Sequence, residues 1–344
     1  MAPHTELTAT QTKLAVLGAG SWGTALAIHL ARNGADVALW GHDPREVEAL
    51  RHDRENRHYL PGVGFPETLN PTADLAGSVR NADEVLVVVP SHAFAAVCAQ
   101  IVAVRPQLKT LSWATKGFDP SSHELLSTVA AQYLPNCDMA AVSGPTFAGE
   151  VARGLPTAIT VASNNPMHAD RVASYLHGDN FRAYTSDDLI GVQVGGATKN
   201  VMAIAAGMAH GLGYGDNSKA ALITRALAEL TRLGIAMGGN PLTFAGLAGM
   251  GDLVATCTSE QSRNRQVGVG LGEGRPIDDI VSEMRMVAEG VKTTGAVLQL
   301  AERHGVEMPI ASMVGAVLSE GRLPADMVGE LMGRSAKAEL DGIG

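Results

Sequence analysis

The chain has 344 residues, with 26 Lys and Arg against 35 Asp and Glu, a formal net charge of −9, and 46% apolar but only 4% aromatic residues. This length supports two domains with large buried cores. The acidic balance excludes a broad electropositive face, so nucleic acid is not an expected partner, although local cations and helix ends can still bind an anionic small molecule.

Residues 1–11 are polar and lack the basic head and apolar stretch of an export signal, so they read as a flexible N-terminus of a cytoplasmic protein. Short β-rich runs then alternate with helical periodicity: 13–17, 35–40, 84–89, 109–114, 139–142 and 157–162. The pattern predicts an α/β fold, a Rossmann-type doubly wound, mainly parallel sheet over 12–192 with helices on both faces. From about Gln193 the strands stop. Helical segments parted by glycine-rich turns at 211–215, 238–239 and 272–274 predict an all-α second domain over 193–340. Leu222, Ala226, Leu230 and Leu233 share one helical face there, and the apolar segment 201–209 reads as a buried core helix, with no membrane insertion expected.

Gly18-Ala19-Gly20-Ser21-Trp22-Gly23 spells G-x-G-x-x-G between the first strand and the first helix. Gly18 permits the tight turn, Gly20 lets backbone approach a pyrophosphate, and Gly23 lets helix and strand pack closely, with free helix N–H groups facing the phosphates. This predicts dinucleotide binding. The second strand ends in Leu39-Trp40-Gly41-His42-Asp43, where an acid that would select NAD is displaced by Gly41. Gly41 leaves room for a 2′-phosphate within reach of His42 or Arg45, so NADP as well as NAD is expected, with the alternative that both side chains are merely solvated. The ends of the next two strands, Val89-Pro90-Ser91-His92 and Ala114-Thr115-Lys116-Gly117, open onto the same crevice and make Lys116 a candidate contact for substrate phosphate or nicotinamide.

Ser143-Gly144-Pro145-Thr146-Phe147-Ala148 follows a strand aimed at that crevice. Gly191, Gly195 and Lys199 lie four apart, on one helical face, with Asn200 next to the lysine. Glycine in a helix costs roughly 1 kcal/mol against alanine, so a bulk-free face for close approach is inferred. A lysine in so apolar a stretch needs a partner, and its burial lowers the pKa into the range of proton transfer. The proposed partner is Asp252, after the glycine-rich run 246–251, with a helix cap as its alternative role. Ser262-Arg263-Asn264-Arg265 combines guanidinium, amide, hydroxyl and helix N–H donors suited to a phosphate. Glu289, in Met286-Val287-Ala288-Glu289-Gly290, can orient a ribose or an amide. Cys98, Cys137 and Cys257 have no metal or disulfide spacing, the histidines are scattered, and Cys257 has no base beside it, so neither a metal nor covalent catalysis is expected.

Taken in order from about Lys13 to Pro309, these motifs, with Thr24-Ala25-Leu26 extending the first and Gly195-Gly196-Ala197-Thr198-Lys199-Asn200 and Gln261 completing the others, resemble the bacterial NAD(P)-dependent glycerol-3-phosphate dehydrogenases. The resemblance implies a second domain like the C-terminal domain of 6-phosphogluconate dehydrogenase. It also implies a cytoplasmic homodimer that reversibly reduces dihydroxyacetone phosphate to sn-glycerol 3-phosphate for phospholipid synthesis. By position it implies Lys199 as proton acceptor, to which the residue reading adds Asp252 as the catalytic partner. Substrate contacts would be Lys116, Gly144, Thr146, Asp252, Ser262, Arg263 and Asn264. Nucleotide contacts, beside Gly18, Gly20 and Gly23, would be Ser21, Trp22, His42, Lys116, Ala148, Arg263, Val287 and Glu289. Trp22 stands where a smaller aromatic is common in the family, and Thr198 where valine is. The alternatives are a β-hydroxyacid dehydrogenase of the same two-domain plan and a non-catalytic NAD(P)-sensing protein.

Overall fold

The computed structural model describes residues 11–284, 288–333 and 335. Val287 and the first ten residues lie outside the described residues. The strands in chain order are β1 (Lys13–Leu17), β2 (Asp36–Trp40), β3 (Glu55–Asn56), β4 (Leu60–Gly64), β5 (Leu69–Thr72), β6 (Glu84–Val87), β7 (Thr110–Trp113), β8 (Asp138–Ser143), β9 (Thr157–Ser163) and β10 (Phe181–Ser186). The helices among and after the strands begin with α1 (Ser21–Arg32), α2 (Pro44–Asp53), α3 (Leu75–Asn81), α4 (Ser91–Val104), α5 (Leu126–Tyr133), α6 (Ala148–Arg153) and α7 (Pro166–Leu176). Then come α8 (Leu189–Gly211), α9 (Asp216–Ala236), α10 (Pro241–Ala245), a π-turn at Leu247–Gly251, and α11 (Asp252–Thr258). The chain closes with α12 (Arg263–Gly272), α13 (Ile277–Glu283), α14 (Glu289–Arg303), α15 (Pro309–Glu320) and α16 (Pro324–Met332).

Eight strands form one sheet in the order β10-β9-β8-β7-β6-β1-β2-β5. Every neighbouring pair is parallel except β8 and β9, so the sheet is mainly parallel, as the alternation of elements predicts. In the centre of the sheet Leu14 to Leu17 of β1 and Val85 to Val87 of β6 are continuous buried Leu, Ala and Val runs because helices cover both faces. One face packs Val16, Leu26, Ile28, Val37 and Ile159; the other packs Leu17, Phe94, Ile101, Leu111 and Trp113. Four strands escape the sequence reading. β5 carries Pro71, tolerated because it is an edge strand, β10 is the opposite and largely solvated edge, and β3 and β4 form a separate short hairpin.

The last strand ends at Ser186, and α8 opens at Leu189 with the Asp188 carboxylate accepting from Gly191 N. Helices α8 to α16 surround a third core, in which the buried segment of α8 meets Leu230, Leu233, Val267, Val297 and Val314. Among the described residues α8 is the one helix long and apolar enough to cross a membrane, and 89% of its apolar window is buried inside the protein. α8 and α12 touch through glycine: a Cβ on Gly207 would come within 2.1 Å of Arg265 O and 2.8 Å of Gly268 Cα, and one on Gly211 within 2.4 Å of Val269 O. Two glycines spaced four apart on each helix bring the backbones into direct contact.

Candidate active site

The glycine-rich turn joins β1 to α1. Gly18 has φ +128°, and a Cβ there would strike Val88 O at 2.5 Å; a Cβ on Gly23 would overlap Gly18 O at 1.8 Å. In front of Gly20 there is nothing within 4 Å of an added Cβ, so that glycine leaves open space instead of avoiding a neighbour. Helix α1 begins at Gly20 without a side-chain cap, so no side chain occupies its first free N–H groups. An uncapped helix start behind an open glycine is a cradle for an anion, and the residues fit the pyrophosphate of a dinucleotide. Trp22 and Ala148 pack against the same core, and Trp22 Nε1 is buried without a hydrogen-bond partner among the described residues.

At the end of β2, a Cβ on Gly41 would lie 2.9 Å from Val47 Cγ2, so the packing of α2 disfavours an acid at this position. The nearest acid, Asp43, caps α2 by accepting from Arg45 N at 2.8 Å; this backbone bond, helped by the Arg45 guanidinium 3.6 Å away, holds its carboxyl below the usual range. His42 and Arg45 are exposed beside it.

Across the crevice the structure gathers Lys116, Gly144, Thr146, Lys199, Asp252 and Thr256. Gly144, at φ +144°, lets β8 pass β9, where a Cβ would lie 3.0 Å from Ile159 Cα. Its carbonyl then accepts from Lys116 Nζ at 3.1 Å and from Thr146 Oγ1 at 3.2 Å. Lys116 Nζ also donates to Asp252 Oδ2 at 2.7 Å, and Lys199 Nζ donates to Asp252 Oδ1 and to Thr256 Oγ1 at 2.8 Å. Asp252 side-chain exposure is 2% and Lys199 side-chain exposure 8%, so one buried carboxylate joins two ammonium groups. Burial lowers Lys199 from its ordinary 10.5 to about 8, opposed by Asp252 and reinforced by Lys116. Asp252 is the first residue of α11 but makes no cap, so the ion-pair role holds and the cap role does not. Gly195 serves the packing of protein on protein: a Cβ there would lie 2.4 Å from Ala248 O, in the turn that delivers Asp252. Cys257 is buried nearby, and burial pushes its thiol up to about 12, which keeps it protonated and unsuited to nucleophilic attack.

Ser262 caps α12, accepting from Arg265 N at 3.3 Å. Asn264 Nδ2 donates to Asn200 Oδ1 at 3.0 Å, and Asn264 Oδ1 accepts from Gly290 N at 2.9 Å, so the starts of α12 and α14 are tied to α8 next to Lys199. Arg263 is half-buried; burial lowers its pKa, opposed by Glu289. Burial raises Glu289, opposed by His92, Lys292, Arg263 and a hydrogen bond to Ser91, and its Oε2 is buried without a partner among the described residues. Thus Glu289 meets the start of α4, just past the end of β6, and Arg263 lies beside Glu289. Sequence reading missed Thr256 and the bridging role of Asn200. Thr256 is four residues after Asp252 on α11, a spacing that could have placed its hydroxyl on the same face.

Family models for the NAD-dependent glycerol-3-phosphate dehydrogenase N-terminus and C-terminus match residues 13–169 and 188–329. A protein of Thioalkalivibrio sulfidiphilus named glycerol-3-phosphate dehydrogenase (NAD(P)+) is 50% identical over 331 residues, covering 96% of this chain and 99% of its own. Its namesake from Shewanella oneidensis is 50% identical over 328 residues, covering 95% and 97%. The crystal structure of glycerol-3-phosphate dehydrogenase from Coxiella burnetii superposes with a TM-score of 0.91 at 43% identity, covering 94% of this chain and 99% of that one. The enzyme from Saccharomyces cerevisiae gives a TM-score of 0.80 at 25% identity, covering 94% and 100%. The chain belongs to the NAD-dependent glycerol-3-phosphate dehydrogenase family.

Proposed function

We propose that this protein catalyses the reversible reduction of dihydroxyacetone phosphate to sn-glycerol 3-phosphate for glycerophospholipid synthesis, as a cytoplasmic homodimer. In this reading residues 12–192 are the dinucleotide-binding domain and residues 193–340 the substrate-binding and catalytic domain, with Lys116, Gly144 and Thr146 reaching the substrate from the first and Arg263 and Glu289 the nucleotide from the second. The observation that carries it is the buried Lys116–Asp252–Lys199 cluster, facing the strand ends at which the glycine-rich turn opens. A dinucleotide with its pyrophosphate held by that turn would supply, from its nicotinamide, the hydride that the carbonyl carbon receives.

Lys199 Nζ gives the carbonyl oxygen its proton in the reducing direction and takes it back in oxidation, and a pKa of about 8 leaves both forms populated near neutral pH. Asp252 and Thr256 orient Nζ, and Lys116, held by Gly144 O, adds positive charge where the oxygen becomes an alkoxide. Arg263 and the start of α12 hold the phosphate, with Ser262 and Asn264 fixing that helix end, so binding energy from a remote group places the carbonyl. Thr146 and Gly144 close the opposite wall. Ser21, Trp22, Ala148 and Glu289 surround the dinucleotide. Gly41, the engaged Asp43 and the exposed His42 and Arg45 support use of NADPH as well as NADH, with preference for the former.

Nicotinamide absorbance followed with dihydroxyacetone phosphate and either reduced nucleotide tests the activity and the preference together. Lys199→Ala is expected to abolish turnover while sparing nucleotide affinity, and near-normal turnover would refute its role. Arg263→Ala is expected to weaken dihydroxyacetone phosphate far more than plain dihydroxyacetone; equal losses count against phosphate recognition.

A further inference from the structure

Asn56 lies outside every motif and touches none of the residues assigned above to substrate. It is 2% exposed, on the β3–β4 hairpin, yet its carboxamide reaches the glycine-rich turn 37 residues earlier. Nδ2 donates to Ala19 O at 2.9 Å and to Thr24 Oγ1 at 2.8 Å, while Oδ1 accepts from Tyr59 N at 3.1 Å. Both amide hydrogens are therefore spent on the turn and the first turn of α1. The hairpin that carries Asn56 is braced. Arg54 donates to Pro66 O at 2.6 Å and Leu69 O at 2.9 Å, Glu55 accepts from Gly62 N at 2.7 Å, and Leu60 and Val63 are buried in the sheet core.

The geometry of a trans peptide gives these bonds a consequence. The carbonyl of Ala19 and the N–H of Gly20 lie in one plane and point in opposite directions. Holding Ala19 O against Asn56 turns the Gly20 N–H away from the hairpin, towards the side where an added Cβ on Gly20 meets nothing within 4 Å. The bond to Thr24, which is fully buried, fixes the next turn of α1 in the same frame. We propose that Asn56 is a positioning residue for the nucleotide: it presets the Ala19–Gly20 peptide and the start of α1 so that their N–H groups already face the phosphates before binding. This rests on the reading that the glycine-rich turn receives the dinucleotide.

The test compares Asn56→Ala, Asn56→Asp, Thr24→Val and Gly20→Val, with the dissociation constant for NADPH measured by calorimetry alongside steady-state kinetics. Loss of a buried hydrogen bond that presets a donor is expected to raise the dissociation constant and KM for NADPH about tenfold in Asn56→Ala, and further in Asn56→Asp, where a carboxylate faces the carbonyl. The KM for dihydroxyacetone phosphate, and kcat at saturating nucleotide, are expected to stay within about twofold, a split that general unfolding would not produce. Gly20→Val binding NADPH normally would overturn the underlying reading of the turn. Gly20→Val impaired while Asn56→Ala binds like the parent would overturn the positioning role alone, as would a proportionate loss of kcat and of both KM values. If Asn56→Ala does not fold, Thr24→Val decides. It removes one acceptor of Asn56 and is expected to weaken NADPH about threefold, and unchanged affinity would overturn the proposal.

Discussion

Asp252→Asn separates the two directions of the proposed reaction by their proton requirements. Asp252 binds Lys199 Nζ through Oδ1 and Lys116 Nζ through Oδ2, at 2.7 Å for the latter. Burial has already brought Lys199 to about 8, and Asp252 is the main influence holding it up. With that opposite charge removed, the amide variant lowers Lys199 further below its present value of about 8. Near pH 7 the protonated share of Nζ, roughly nine-tenths in the parent, then falls. Ketone reduction, which needs the ammonium, loses kcat/KM from this cause and recovers towards acid pH, whereas alcohol oxidation, which needs the free amine, gains from it. Lost orientation lowers both directions alike, so the opposite trends with pH isolate the proton. The assay is kcat/KM for dihydroxyacetone phosphate and for glycerol 3-phosphate between about pH 5 and pH 10, each divided by the wild-type value to cancel substrate ionisation. A ratio that is flat with pH in both directions would refute the reasoning.

Other consequences can be measured as stability. Because the folded pKa of Lys199 is about 8 and its ordinary value 10.5, the unfolded chain binds more protons between these limits, and this lysine makes stability rise with pH across that window. The total is about 3 kcal/mol, and in Lys199→Met the rise, followed by urea midpoints, is expected to flatten; an unchanged slope would show that burial does not depress the pKa. Glu229, 3% exposed on α9, accepts from Ile310 N at 2.8 Å and Ala311 N at 3.3 Å in the first turn of α15. Glu229→Ala is expected to cost about 1–3 kcal/mol, and an unmoved midpoint would dismiss the cap. Thr198 is fully buried, and its hydroxyl has no partner among the described residues. Thr198→Val should therefore stabilise the protein, by about 1 kcal/mol; destabilisation would reveal a role for the hydroxyl.

What the sequence disclosed and what it hid divide along physical lines. The central strands and the glycine-rich turn were legible because their signals are local: apolar runs of strand length and glycines forced by φ or by contact within a few ångströms. Lys199 and Asp252 were legible as a pair because a lysine in an apolar helix demands an acid, and the glycine-rich turn before Asp252 offered one. The second ammonium was not. Lys116 stands 136 residues from Asp252, and nothing at a strand end foretells that it shares the same carboxylate. The glycine spacing implies close approach at Gly195 without saying of what, and its missing side chain admits the Ala248 carbonyl, since close approach looks the same from sequence whichever body approaches. Glu84 belongs to the same class. It opens β6 at 3% exposure, and its carboxylate is met by Ser112 Oγ at 2.9 Å and His168 Nε2 at 3.1 Å, partners that only the folded sheet brings together.

The glycine contacts between α8 and α12 bear on how the site keeps its dimensions. Lys199 rides on α8 and Arg263 opens α12, and the two backbones touch at Gly207 against Gly268 and at Gly211 against Gly272. Helices in contact at two points one turn apart cannot slide without forcing carbonyls into Cα atoms, so the span from proton donor to phosphate holder is fixed inside the helical half. Lys116 comes from the sheet half, and its ion pair with Asp252 links the two halves beside the reacting atoms. Adjustment between nucleotide and substrate must then fall between the halves, not within either. Gly207→Ala tests this division: its Cβ would lie 2.1 Å from Arg265 O, and prying α12 outward costs about 1–3 kcal/mol of stability. The KM for dihydroxyacetone phosphate is expected to rise severalfold while affinity for NADPH, which the helical half meets only through Arg263 and Glu289, falls far less. Equal losses of both would mean that the span is not set by the glycine contacts.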